Sequence, residues 1–117
     1  MTRPDPRHKP DPRLQRLADI ADMVRDAHLA RLSAARQMRE ASLALHRALE
    51  PAADLPQDPP ELLAALRHQR WAEVRRLRLM QDITRQEEVI RQNRNDAARA
   101  FARARVVAQL LRQGGKA

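Results

Sequence analysis

The chain has 117 residues, enough for one small domain, and 21 of them are alanine. Apart from alanine, the chain has 29 large apolar side chains. This number is small for a globular core but sufficient for a seam between two helices. The net charge is +8, and the lack of cysteine excludes a disulfide scaffold and any Cys-ligated metal site. No apolar run approaches the roughly 18 residues of a membrane span, and residues 1–13 do not resemble a signal peptide. The sequence therefore predicts a soluble, cytoplasmic protein.

Prolines mark the predicted helix boundaries, because all eight lie at 4, 6, 10, 12, 51, 56, 59 and 60. Asp11 before Pro12 is typical of an N-cap followed by proline in the first helical turn, and Asp58 before Pro59 repeats the signal. Pro51 ends the first helix, because it has no amide hydrogen for the helical ladder. The intervening stretches are rich in Ala, Leu, Arg, Gln and Glu, which favour helix.

These signals predict an all-α fold with five parts: a disordered Pro-rich tail (1–11), a helix (12–50), a loop (51–58), a second helix (59–113) and a flexible tail (114–117). A loop of eight residues lets the two helices fold back on each other. We therefore expect an antiparallel coiled-coil hairpin.

Apolar stripes on both helices support this pairing. The stripe of the first helix comprises Leu17, Ile20, Ala21, Val24, Ala27, Ala35, Met38, Leu45 and Leu49. The second helix begins with one stripe and, after a three-residue skip, continues with another: Leu63, Leu66, Val74 and Leu77, then Met80, Ile83, Ile90, Ala97, Phe101, Ala104, Ala108 and Leu111. Several members of the last stripe recur every seven residues, the coiled-coil period.

The predicted register leaves the end of the second helix unpaired. A tight loop near residue 54 pairs residues whose numbers add to about 108, so that Leu45 faces Leu63. The first helix then ends opposite residue 96, and residues 97–113 form a C-terminal helical overhang. The overhang keeps an apolar side made of Ala97, Phe101, Ala104, Ala108 and Leu111. This side is interpreted as a partner-binding surface, with coverage by the N-terminal tail or by a second copy as alternatives.

Catalytic and cofactor motifs are not found in the sequence. His46 and Glu50 have metal-ligand spacing without a third ligand, and the only glycines lie near the end, so no phosphate-binding loop can form. We therefore predict a protein that is not an enzyme and that has no cofactor and no metal site.

The positive charge is concentrated in the second half of the chain. Residues 1–58 have net charge +1 from 10 basic and 9 acidic groups, and residues 59–117 have +7 from 13 and 6. The candidate partner-binding arginines are Arg67, Arg70, Arg78 and Arg85, with Arg99 and Arg103 further along. They could meet an acidic protein groove or nucleic-acid phosphates, or form a solvated face. Nucleic acid is disfavoured, because two aromatic residues cannot build a stacking platform. Trp71 beside Arg70 is a candidate interface anchor, with a ring that lies over the edge of the helix pair as the alternative.

Three segments carry a resemblance to a known family. They are LQRLADIADMVR at 14–25, AARAFARARV at 97–106, and Gln69-Arg70-Trp71. Together with the basic, cysteine-free hairpin pattern, they resemble the FliJ/YscO family, the coiled-coil stalk proteins of flagellar and virulence type III export systems.

The resemblance implies a non-enzymatic stalk whose paired ends sit within a hexameric export ATPase and whose surface contacts the membrane export gate. It implies a role in flagellar biogenesis and protein transport, with a location in the cytoplasm or peripherally at the inner-membrane export apparatus. On this interpretation the overhang enters the ATPase ring. A nucleic-acid-associated basic hairpin and a homo-oligomeric coiled-coil scaffold remain the alternatives.

Overall fold

A computed structural model describes residues 11–51 and 54–114 of the chain. Helices α1 (Pro12–Ala48) and α2 (Pro59–Gln113) contain nearly all of these residues, and none of them lies in a strand. The prediction of an all-α fold made of two long helices is confirmed. Of the two predicted tails, only Asp11 and Gly114 are described, and the rest of 1–11 and 114–117 lies outside the described residues.

Both helices begin at the predicted prolines, whereas α1 ends at Ala48, earlier than the predicted residue 50. The amides of Leu49 and Glu50 donate to the carbonyls of His46 and Arg47, each over 3.2 Å. Such bonds between residues three apart tighten the last turn of a helix, and Pro51 cannot continue the ladder.

The N-terminus of α1 is capped by a side chain. Asp11 Oδ1 accepts a hydrogen bond of 2.9 Å from the backbone N–H of Arg13. The Asp11 carbonyl also accepts the N–H of Gln15 at 2.9 Å, the first bond of the helical ladder. At the start of α2 the carbonyl of Asp58 accepts the N–H of Leu62 at 2.7 Å, but no bond from the Asp58 carboxylate to a described backbone amide is seen.

We predict that Asp11→Ala lowers the free energy of unfolding by about 1 kcal/mol, because it leaves a helix N-terminal amide without its acceptor. The matched control Asp58→Ala should lower it by only a few tenths of a kcal/mol, since no side-chain bond is lost. Urea unfolding followed by circular dichroism would measure both. Equal losses for the two variants would contradict the capping role of Asp11.

The chain forms two compact units, each of which joins part of α1 to part of α2. Of the described residues, unit 1 contains 11–33 and 91–114, and unit 2 contains 34–51 and 54–90. Each unit is described separately below.

The seam of unit 2 follows the coiled-coil pattern, with covered positions three and four residues apart. In α1 and its last turn they are Ala35, Arg39, Ser42, His46 and Leu49; in α2 they are Leu62, Ala65, Gln69, Ala72, Arg76, Leu79, Ile83, Gln86 and Ile90. Gln86 Nε2 donates to Ser42 Oγ at 3.0 Å and fixes the register, since 42 and 86 add to 128.

The seam of unit 1 has the same spacing, and four of its five buried residues are alanines. Its positions are Leu14, Ala18, Ala21, Arg25, His28 and Leu32 in α1, and Asn93, Ala97, Ala100, Ala104, Val107 and Leu111 in α2. A Cβ added at Gly114 would lie 3.3 Å from Leu14 Cδ2 and 3.1 Å from the carbonyl oxygen of Leu110. Glycine therefore permits Leu14 to approach the end of α2 closely, and 14 and 114 also add to 128.

The predicted register and overhang are therefore corrected. In unit 2 the predicted pair of Leu45 and Leu63 is exposed, and Ser42 pairs with Gln86 instead. In unit 1 the start of α1 contacts the end of α2, so residues 97–113 do not extend beyond α1. The predicted three-residue skip is also absent, because the covered positions run from Ala72 to Ile83 without interruption.

The connection between the helices explains the difference in register. Instead of turning at once, its described residues lie along the first turns of α2 and line a common cavity with them in unit 2. Its ten residues, 49–58, include two prolines and can span roughly 33 Å when extended. Residues 59–80 of α2 extend over about 33 Å along the helix axis. Pairing of α1 with α2 consequently begins near residue 80, and the part of α2 that α1 leaves uncovered is its N-terminal part.

Candidate partner-binding surfaces

The predicted site residues divide into an accessible and an inaccessible group. Ala97 and Ala104 are buried and Leu111 is half-buried in the seam of unit 1, so they cannot form the partner-binding surface predicted for them. Phe101 and Ala108 lie on the same part of α2 but are exposed. The prediction failed for the first three because the overhang on which it rested does not exist.

The remaining candidates lie together on the outer side of α2 in unit 2. We define the Trp71 face as the exposed residues Leu63, Arg67, Arg70, Trp71, Val74, Leu77 and Arg78. Arg67 lies four residues before Trp71, and Val74 and Arg78 follow it at three and seven. These spacings place the side chains as neighbours on one side of a helix. Arg85 is exposed one heptad beyond Arg78.

Trp71 is accessible and contacts a neighbouring ring. It is 57% exposed, and its ring centroid lies 5.6 Å from that of His68 at an interplanar angle of 33°. His68 in turn lines the cavity of about 380 Å³ between the connection and α2. The contact with His68 was not predicted, although the three-residue spacing of these aromatic side chains could have indicated it.

The arginines differ in how much of their hydrogen-bonding capacity is free. Arg85 Nη2 donates to Asp82 Oδ1 at 2.7 Å. Arg67, Arg70 and Arg78 make no ion pair or hydrogen bond with any described residue. Their guanidinium groups can therefore bind carboxylates of a partner without first losing an intramolecular bond.

Large aliphatic side chains beside the arginines make the Trp71 face partly apolar. Leu63, Val74 and Leu77 are all about half exposed or more. In the sequence they form part of the stripe that was predicted to pack against the first helix. In this part of α2 the covered positions are instead Leu62, Ala65, Gln69, Ala72 and Arg76, so Leu63, Val74 and Leu77 remain on the surface.

Within residues 11–51 and 54–114, no group of three or more His, Cys, Asp or Glu side chains could hold a metal ion. None of the described helical segments is both long and apolar enough to cross a membrane.

No family model matches this chain, and no curated protein and no solved structure matches it either.

Proposed function

We propose that the chain is a non-enzymatic coiled-coil stalk component of a flagellar type III export apparatus, and that it docks onto an export ATPase through the Trp71 face. The resemblance to the FliJ/YscO family suggests the ATPase and the export gate as partners. The observation that supports docking at this face is the exposure of the single tryptophan of the chain among arginines with free hydrogen-bonding capacity.

The composition of the Trp71 face is that of a binding hot spot. Trp and Arg are the residue types that most often dominate the energy of protein interfaces. An exposed Trp side chain offers a large apolar area, and the planar guanidinium of Arg binds carboxylates in bidentate geometry. A partner with an apolar pocket rimmed by acidic groups would complement both.

Docking occurs laterally, through a helix face, and not by insertion of a C-terminal overhang. Phe101, Ala108, Arg99 and Arg103 lie in unit 1 and are not part of the proposed ATPase contact. The location proposed for the protein is the cytoplasm, peripheral to the inner-membrane export apparatus through the export gate.

We predict that Trp71→Ala weakens binding to the export ATPase encoded in the same genome by about thirtyfold, the equivalent of roughly 2 kcal/mol for a hot-spot residue. The triple variant with Arg67, Arg78 and Arg85 changed to Glu should reduce binding below detection, because it replaces attraction with repulsion. Surface plasmon resonance with immobilised ATPase would measure both effects, and circular dichroism would verify that the variants remain helical.

Two controls match these variants on α1. Met38→Ala removes an exposed apolar side chain of unit 2, and Arg31, Arg36 and Arg47 changed to Glu reverse the same amount of charge. Both should bind the ATPase within about twofold of the wild type. Equal losses in control and test variants would overturn the proposed surface. Salt-sensitive binding to duplex or single-stranded nucleic acid, abolished in the triple variant of Arg67, Arg78 and Arg85, would favour the nucleic-acid alternative.

A further inference from the structure

Unit 1 carries opposite charges side by side on one of its surfaces. We define the acidic edge as Asp19, Asp22 and Asp26 of α1 and the basic edge as Arg105 and Arg112 of α2, all exposed. Asp22 and Arg105 line one groove of about 450 Å³, together with Arg25, Phe101, Ala104, Ala108 and Arg112. Asp19 and Asp26 lie three and four residues from Asp22, so the helical period places them on the same side.

The groove also has an apolar centre. Phe101, which forms part of its lining, is 53% exposed. Leu29 is 45% exposed and lies seven residues from Asp22, so it projects from the same edge of α1 one heptad further along. An exposed aromatic and an exposed leucine, flanked by charges, give this surface the composition of a helix-packing interface.

The two edges do not neutralise each other within the unit. Asp22 and Asp26 pair with Arg25 of their own helix, at 3.4 and 3.2 Å. Arg105 and Arg112 make no ion pair or hydrogen bond with any described residue. A carboxylate has about four acceptor positions, so the acidic edge can still accept hydrogen bonds from further arginines. A complementary surface must therefore offer bases opposite α1 and acids opposite α2.

A second copy of the chain offers this arrangement in one of two symmetric orientations. A two-fold axis parallel to the helices places α1 of one copy against α2 of the other, so each acidic edge meets a basic edge. A two-fold axis perpendicular to the helices, in the plane of contact, places acidic edge on acidic edge, which is repulsive. Charge complementarity thus selects the parallel axis.

The register of unit 1 sets which residues would meet. Residues at one level of the α1–α2 pair have numbers that add to 128, as Leu14 and Gly114 do. With the parallel axis, Asp22 comes level with residue 106, next to Arg105 of the partner subunit. Leu29 likewise comes level with residue 99, within one turn of Phe101 of the partner subunit. Charged and apolar groups are therefore matched at the same time.

From this complementarity we infer that the chain dimerises through unit 1, forming a four-helix bundle in which α1 of one subunit packs antiparallel to α2 of the other. The partner that covers the groove is a second copy of this chain. The Trp71 face belongs to unit 2 and plays no part in this contact. Dimerisation goes beyond the proposed function, and either can hold without the other.

The first test is the mass of the full chain in solution, measured by light scattering and sedimentation equilibrium. We expect twice the 13.4 kDa of one chain. Phe101→Ala should weaken the dimer by about tenfold or more while the helical signal is unchanged. A mass of one chain, or a Phe101→Ala dimer as tight as the wild type, overturns the inference.

The second test is a charge exchange between two variants. The first variant has Arg105 and Arg112 changed to Asp, which makes both edges acidic, and the second has Asp19, Asp22 and Asp26 changed to Arg, which makes both basic. Each alone should be monomeric because like charges meet, whereas an equimolar mixture should form a one-to-one dimer. A mixture that stays monomeric although each variant is helical contradicts the proposed contact.

The matched control alters the charge of the same part of α2, but on a different side of the helix. Arg99→Asp with Arg103→Asp alters the same amount of charge on the same part of α2, about 100° or more around the helix from the basic edge. This variant should remain a dimer. Its dissociation to the same extent as the Arg105 and Arg112 variant would show that overall charge governs association and would overturn the inference.

Discussion

Leu79→Ala is expected to lower the free energy of unfolding by about 2–5 kcal/mol, the usual cost of truncating a buried leucine. Leu79 is 3% exposed in the seam of unit 2. Truncation removes apolar contacts between helices and leaves a cavity that a stiff helix pair cannot fill by relaxing. Urea unfolding monitored by circular dichroism would measure the loss.

Leu77→Ala is the matched control for Leu79→Ala, two residues away on the same helix. Leu77 is 67% exposed, so its truncation should change the free energy of unfolding by only about 0.5 kcal/mol. The apolar stripe inferred from the sequence places Leu77 in the seam and predicts the reverse order. A larger loss for Leu77→Ala would therefore restore the sequence-based register and contradict the structure.

Ala100→Arg is expected to destabilise the helix pair of unit 1 by about 3 kcal/mol or more. Ala100 is 3% exposed between two helices, so an arginine there must force them apart or place a charge where it has no acidic partner. Ala102→Arg introduces the same side chain at an exposed position of the same helix and should be nearly neutral.

Native-state hydrogen exchange would localise the effect of Ala100→Arg. Protection of amides in residues 91–114 should fall in this variant and be retained in Ala102→Arg. If residues 97–113 formed an unpaired overhang, the two arginines would be equally harmless. Equal protection in both variants would thus support the overhang and refute the packing of α2 against α1 in unit 1.

Helix boundaries could be predicted from the sequence because they depend on local chemistry. Pro12 and Pro59 begin the two helices as expected, since a proline ring fits the first turn and fits poorly further along. The end of α1 was less well predicted, because its last turn tightens before Pro51 is reached.

The register could not be predicted, because the seam does not use the largest apolar side chains. Arg39, His46 and Gln86 occupy covered positions in unit 2, while more hydrophobic residues such as Leu77 lie outside. Ranking positions by hydrophobicity therefore selects the wrong faces. The length of chain lying along α2 before pairing begins is also not encoded in any local motif.

One sequence signal did identify the seam correctly. Ile83, Ile90, Ala97 and Ala104 recur every seven residues, and all four are buried. Continued towards the N-terminus in steps of seven residues, the series passes through Arg76 and Gln69 and reaches Leu62. Arg76 and Gln69 are polar, so hydrophobic periodicity would not select them. Small residues were the second available signal, because closely approaching helices need alanine at their contact positions.

The exposure of a candidate residue could be predicted where it follows from residue type, but not where it depends on register. Trp71 and its neighbouring arginines were singled out by residue type alone, and the structure leaves them exposed. The exposure of Ala97, Ala104 and Leu111 depended on where α1 lies along α2. The acidic edge of unit 1 could be recognised as part of a surface only from the groove that Asp22 shares with Arg105.

The register also orders the events of folding. The hydrogen-bonded pair Ser42 and Gln86 closes a loop of 44 residues, whereas Leu14 and Gly114 are separated by 100. Closing the longer loop first would cost about 0.7 kcal/mol more in chain entropy, and once the inner contacts exist only a short further segment has to be ordered. Contacts between the two helices should therefore form first near the connection and then extend towards the termini. Ser42 and Gln86 lie in the segment that pairs first, so amides near them should gain protection from hydrogen exchange before those near Leu14.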